Sequence, residues 1–194
     1  QLSHLTTSFP GTRLEIGATR DQLSLARSEA DIARRMRRPP DTGDLVVRKI
    51  GQAAMSLYAS RALANRCSIP SNRPDIAQLP IIASMRDAGL SRQESWIADN
   101  LKSNTVAMRI SETTLRRDAV VAGHGAALLP CFAGDAIPEL VRVLEPPEEL
   151  TEDAYLLLHK DMKDVPEIRL VANALAALFK TEAKSMAGAK ISPG

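Results

Sequence analysis

The sequence predicts an α/β protein, and three observations within residues 105–130 predict it. Val106, Met108 and Ile110 alternate, the two-residue period of a strand. Leu115, Ala119, Val120 and Ala122 then recur at helical spacing. Gly123 and Gly125 stop that helix, and Ala126 to Leu129 follow as an unbroken apolar run that ends at Pro130. Such a run suits a strand covered on both faces. Strand, helix, glycine turn and strand make half of a parallel α/β layer. Ser111 is expected to be the helix N-cap, its hydroxyl accepting from an amide of the first turn. The start of that helix should lie at the carboxyl edge of the sheet, where open α/β folds bind small ligands.

The other elements follow in chain order. Residues 1–9 read as the end of a helix, with Leu2, Leu5 and Phe9 on one face. Leu14 to Ala18 read as a strand, Asp21 to Ser28 as a short helix, and Ile32 and Ala33 as the start of a second strand. Arg37 to Asp44 hold two prolines and a glycine and form a loop. Leu45 to Ser60 read as two strand segments broken near Gly51, and Arg61 to Asn65 as a short helix. Prolines 70, 74 and 80 mark a connection. A strand is expected at 80–84, a loop at 86–93, and a strand carrying Trp96 at 95–100. Leu140 to Leu144 and Ala154 to His159 read as strands around an exposed turn at Pro146 to Glu149. Pro166 to Lys180 is the clearest helix: proline fits its first turn, and Ile168, Val171, Leu175 and Leu178 make an apolar stripe. Residues 182–194 read as a frayed tail.

The 194 residues carry a net charge of +2, 44% apolar and 25% charged residues, which is ordinary globular composition. So small a charge does not point to a polyanion partner. With 3% aromatic residues, platforms that stack single-stranded bases are excluded as a theme. No run reaches the roughly 18 apolar residues of a membrane helix. The first ten residues lack the basic start and apolar stretch of a secretory leader. Two cysteines, Cys67 and Cys131, fit a reduced, cytoplasmic setting and read as small core residues.

Chemistry-bearing patterns are sparse. His4, His124 and His159 lack the i, i+4 spacing of a zinc helix, and no G-x-S-x-G or phosphate-binding loop occurs. Gly123-His124-Gly125 follows a helix instead of opening one, so no dinucleotide site is expected. No metal, cofactor or catalytic residue is assigned. Arg34-Arg35-Met36-Arg37-Arg38 reads either as a nucleic-acid patch or, preferably, as a solvated loop leading into Pro39-Pro40.

Several stretches together resemble the effector-binding domain of LysR-type transcriptional regulators. Gly123 to Pro130 (GHGAALLP) resembles that family's G-x-G-[IV]-[AG]-x-L-P signature. Phe9 to Ile16 is similar to its F-x-x-x-[FY]-P-x-[VI]-x-[LI]-x-[LI] passage, and Glu29 to Ala33 to its E-G-x-[ILV]-D-[LIV]-[AG] turn. Gly51 to Ser60, ending Tyr58-Ala59-Ser60, resembles its strand that crosses between lobes. His159 to Pro166 resembles the H-x-D-x-x-x-[VI]-P lead into its last helix. The five lie in the family's order over residues 5–180.

The resemblance implies two Rossmann-like lobes of the type 2 periplasmic-binding-protein kind, hinged by two crossover strands. Residues 1–55 and 151–181 would form lobe I, lacking its first strand because the chain is expected to start inside the domain. Residues 56–150 would form lobe II and 182–194 a tail. A small, anionic metabolite would bind between the lobes. By the resemblance, Ala18, Thr19 and Arg20 line the cleft from lobe I, and Ser84, Met85 and Arg86 from lobe II. Arg35 resembles the family's cleft-mouth arginine, whose guanidinium can fork onto a carboxylate. Arg34 stands where the family usually has an apolar residue, which predicts an early end to that strand. Ser111, at a helix N-terminus, is a further effector contact. The family is not enzymatic, forms homodimers and often tetramers, and reaches DNA through an N-terminal winged helix-turn-helix that this chain does not include. The rivals are a stand-alone solute-binding protein of the same fold, and an enzyme on a related two-lobed scaffold, for which no nucleophile or cofactor lysine stands at suitable spacing.

Overall fold

A computed structural model of the chain describes residues 13–17, 25, 29–67, 76–85, 92–101 and 105–189. They divide into two compact units, one running up to Gly51 and taking in Asp153–Glu182, the other Gln52–Glu152 with the residues from Ala183 on. The expected helices at 1–9 and across 21–24 and 26–28 lie outside the described residues, as does most of the 86–93 loop.

In the first unit, β1 (Ile32–Met36) runs antiparallel to β7 (Thr151–His159), with Arg34 opposite Leu156 and Arg35 opposite Tyr155. β2 (Leu45–Ser60) lies on the other side of β7. The helix α5 (Pro166–Thr181) opens with proline in its first turn. Ile50, Ala154, Leu156, Ala172 and Ala176 form the core, flanked by Ile32, Met36, Leu175 and Phe179. Ala172 and Ala176 of α5 are buried, and the larger residues of the expected stripe are half-buried beside them. Small side chains thus make the closest approach to the sheet.

Three expectations fail in this unit. Residues 14–17 carry no strand. β1 does not stop at Arg34 but continues to Met36. It ends the order of described strands, so Arg34 is exposed and needs no apolar surroundings. β2 is one strand of 16 residues, unbroken at Gly51.

The second unit is built on the far half of β2, where Ser56 to Ser60 are buried in succession. β5 (Ala127–Pro130) pairs antiparallel with Met55–Tyr58, and β6 (Leu140–Arg142) with Tyr58–Ser60. Ser60 caps the short α1 (Arg61–Arg66) by accepting from the Leu63 amide at 3.2 Å. β3 (Ile81–Ala83) and β4 (Val106–Arg109) are parallel, and Ile81 bridges Ala126 in the same sense. Between β3 and β4 lies α2 (Arg92–Asn100), where a strand was expected. Helical spacing decides it: Leu101 donates to the Ile97 carbonyl, and Trp96, Ile97 and Leu101 reach the core together.

The strand–helix–turn–strand prediction holds, with α3 (Thr113–Val121) between β4 and β5. Its end is a Schellman motif: Gly123 donates to Val120 and His124 to Ala119, with Gly123 at φ 80°. The second glycine answers to a different constraint. A Cβ on Gly125 would sit 2.8 Å from both the Pro80 carbonyl and Ile82 Cγ1. The outward face of α3 was misjudged, because Leu115 is exposed and the buried positions are Arg116 and Val120.

Fraying does not extend over residues 183–187. α6 (Ala183–Met186) is helical, Met186 is buried, and Gly188 packs where a Cβ would meet Pro146 at 2.7 Å and Cys131 Sγ at 3.2 Å. Arg142 secures it by donating to the Gly188 carbonyl at 2.6 Å and pairing with Asp135, the C-cap of the short α4 (Cys131–Gly134). Tyr58 donates to the same carboxylate at 2.7 Å from β2. Burial pushes the Tyr58 phenol and the Cys131 thiol up from their ordinary values, so both stay protonated at neutral pH.

Two outcomes test this packing. Gly125→Ala should cost about 1–3 kcal/mol by overpacking in urea unfolding, since its closest neighbour is backbone. Asp135→Asn should cost about 2 kcal/mol, below the loss for a fully enclosed pair because the Asp135 side chain is 31% exposed.

Candidate functional site

The parallel register of β3 and β4 brings Ala83 beside Arg109, and the Ile110 amide donates to the Ala83 carbonyl at 2.9 Å. The chain leaves both strands at this edge. Ser84, half-buried, follows β3, and Ser111, exposed, follows β4. Two residues expected to contact a ligand, 27 positions apart, therefore share one carboxyl edge. Met85 is beside them and is 47% exposed. Arg35 lies half-buried in β1 of the first unit. Ala18, Thr19, Arg20 and Arg86 lie outside the described residues.

The capping expectation for Ser111 is wrong by one position. Glu112 is the N-cap of α3, and its carboxylate accepts from the Leu115 amide at 2.6 Å. Backbone amides of Thr114 and Leu115 hold the Glu112 carboxyl below its usual value, since they bond to the charged form. The positive end of the helix therefore already faces a protein carboxylate. An anion arriving at Ser111 meets a helix start that is partly neutralised.

Positive charge at this edge comes instead from two arginines that sequence reading passed over. Arg109 donates to the Ser84 carbonyl at 2.9 Å and lies 3.5 Å from the buried Glu94 carboxylate on α2. Arg116 is 4% exposed and donates to the Ile110 carbonyl at 2.9 Å, the Ser111 carbonyl at 3.4 Å and Thr113 Oγ1 at 3.3 Å. A signal for Arg116 was present in the sequence. It stands four residues before Val120 and shares that buried helical face.

Among the described residues no cluster of His, Cys, Asp and Glu is arranged to hold a metal ion. Among them also, no helix is long and apolar enough to cross a membrane.

Comparison with known proteins places this geometry. The sequence profile of the LysR substrate binding domain matches residues 1–180. The Mau operon transcriptional activator of Paracoccus denitrificans is 28% identical over 193 residues, covering 96% of this chain and 61% of that protein. The chain thus spans about three-fifths of the length of this curated relative. The regulatory domain of CrgA, a LysR-type transcriptional regulator from Neisseria meningitidis, superposes with a TM-score of 0.75 at 18% identity, covering 92% of this chain and 89% of that one. The effector domain of the transcriptional regulator AmpR of Pseudomonas aeruginosa gives 0.69 at 17%, covering 94% and 89%. Full-length AphB, a virulence activator of Vibrio cholerae, gives 0.61 at 20%, covering 91% and 61%. The shared fold is the α/β, type 2 periplasmic-binding-protein-like class expected from the sequence.

The Glu112 cap predicts a pH signature. Its folded value is depressed, so its stabilising contribution is complete above the ordinary value of 4.5 and fades as pH falls through the folded value. Glu112→Ala should lower the melting temperature near pH 7, and the gap to wild type should narrow as pH falls below 4.5. A gap that stays constant over that range would show that the charge is not what caps the helix.

Proposed function

The chain belongs to the LysR substrate binding domain family, and on that premise we propose that it is the ligand-sensing part of a transcriptional regulator. It takes a small anionic metabolite and passes the signal to a DNA-binding winged helix-turn-helix N-terminal to these residues. It works as a homodimer or tetramer in the cytoplasm and performs no catalysis. The observation that carries the reading is the family match over residues 1–180, joined to the convergence of Ser84 and Ser111 on one carboxyl edge. The curated relative is a transcriptional activator, which favours a regulator over a stand-alone solute-binding protein.

The ligand contacts in this reading are Ser84, Met85 and Ser111 in the second unit and Arg35 in the first, together with Ala18, Thr19 and Arg20. Ser111 supplies a hydroxyl and Arg35 a guanidinium fork suited to a carboxylate. Differential affinity for two arrangements of the domain would shift their populations, and that shift is the signal.

A thermal-shift screen of carboxylic-acid metabolites tests the reading. A ligand present at 100 times its dissociation constant adds about 2.7 kcal/mol of stability. Ser111→Ala should alter stability by less than about 0.5 kcal/mol, because the residue is exposed and does not cap the helix. It should nevertheless weaken the ligand's shift. An unchanged shift removes Ser111 from the site, and a library in which nothing moves the melting point argues against sensing.

A further inference from the structure

We infer that Arg109 and Arg116 are positioning residues that hold the two loops of the Ser84–Ser111 edge in place, an assignment that takes its purpose from the sensing role proposed above. The observation is where the two guanidinium groups point. Arg116 is buried, and it donates to backbone carbonyls of the β4–α3 loop, Ile110 and Ser111, and to Thr113 Oγ1 on the first turn of α3. Arg109, on the neighbouring strand, does the same for the other loop by donating to the Ser84 carbonyl. Glu94 on α2 lies 3.5 Å behind Arg109 and draws that helix into the same arrangement.

Burying a guanidinium is costly unless its donors are used. Here they are used at the first residues beyond two adjacent parallel strands. A carbonyl fixed by a charged donor fixes the peptide that carries the next side chain. Ser111 is one bond from its own tethered carbonyl, and Ser84 likewise. The planar fork of arginine lets one head reach the Ile110 and Ser111 carbonyls through Nη1 and Thr113 Oγ1 through Nη2, which a lysine ammonium cannot do with the same rigidity. Pre-ordering of this kind lowers the entropy that a ligand would otherwise lose on ordering the loops.

Hydrogen exchange read by mass spectrometry tests the role without any ligand. In Arg116→Met, peptides covering 110–114 should exchange about tenfold faster, while peptides from β5 keep their wild-type rate. Arg109→Met should do the same at 84–85. Unchanged exchange at 110–114 overturns the inference, and so does an equal acceleration across β5, which would mean that the arginine only supports the unit as a whole. Should Arg116→Met fail to fold, Arg109→Met decides, since that side chain is 31% exposed and its loss is milder. A second arm titrates succinate and sulfate as carboxylate and tetrahedral probes, read as melting-point shifts. A succinate shift in wild type that falls at least fivefold in apparent affinity in Arg116→Met supports positioning, and equal affinities overturn it. If neither probe moves wild type, the anionic-ligand reading is what loses ground, and the exchange result alone decides the arginines.

Discussion

The second unit depends on one constraint, the complete burial of β2 from Ser56 to Ser60. A strand covered on both faces must satisfy its backbone from both sides. β5 and β6 supply those partners on overlapping registers that meet at Tyr58. The side chains then take on further work. Ser60 starts α1, Tyr58 reaches Asp135, and Ser56 donates to the Leu144 carbonyl. Leu57 and Ala59 enter one apolar cluster and Tyr58 the other, so each pleat of the strand feeds a different core. β3 and β4, which carry the candidate ligand edge, are assembled against this base through Ile81, Ile82 and Ala126.

Much of this was legible because the signals were steric. The glycines at 123 and 125 announced a turn, and the structure separates their duties into a left-handed residue and a close approach to Pro80. Proline at 166 fixed the start of α5. What could not be read were choices that tertiary contacts make. Residues 92–100 lack a strong apolar period, and their helix exists because Trp96 and Ile97 find the core from a helical turn. Ser111 outranks glutamate as a generic cap. Glu112 takes the place because it is one residue nearer the first turn, within reach of Leu115. Arg116 was passed over for a different reason: its spacing from Val120 put it on the buried face, but charge marks a surface by default, and only the positions of carbonyls in three dimensions make a buried arginine reasonable.

The molecule uses buried arginine in two ways. Arg142 faces a carboxylate and a phenol, and its side chain is as enclosed as that of Arg116. That arrangement is a charge pair, whose loss leaves an uncompensated ion. Arg116 is a clamp on peptide dipoles, and Glu112 stands four residues earlier at the helix start. The candidate edge thus holds its own anion and its own cations before any guest arrives. A ligand there would be judged against a local field already near balance, which favours selection by shape and hydrogen bonding over attraction of charge alone.

The segment beyond α5 alters how the limits of this domain should be drawn. The family profile stops at residue 180, yet Met186 and Gly188 complete the walls around Cys131 and Pro146, and Arg142 has a backbone oxygen there as one of its acceptors. A recombinant piece trimmed to the homology boundary would uncover a thiol that is otherwise shut away and leave a guanidinium short of one acceptor. Any cloning design, tag placement or fusion junction for this protein therefore belongs past residue 189, outside the part that sequence similarity recognises.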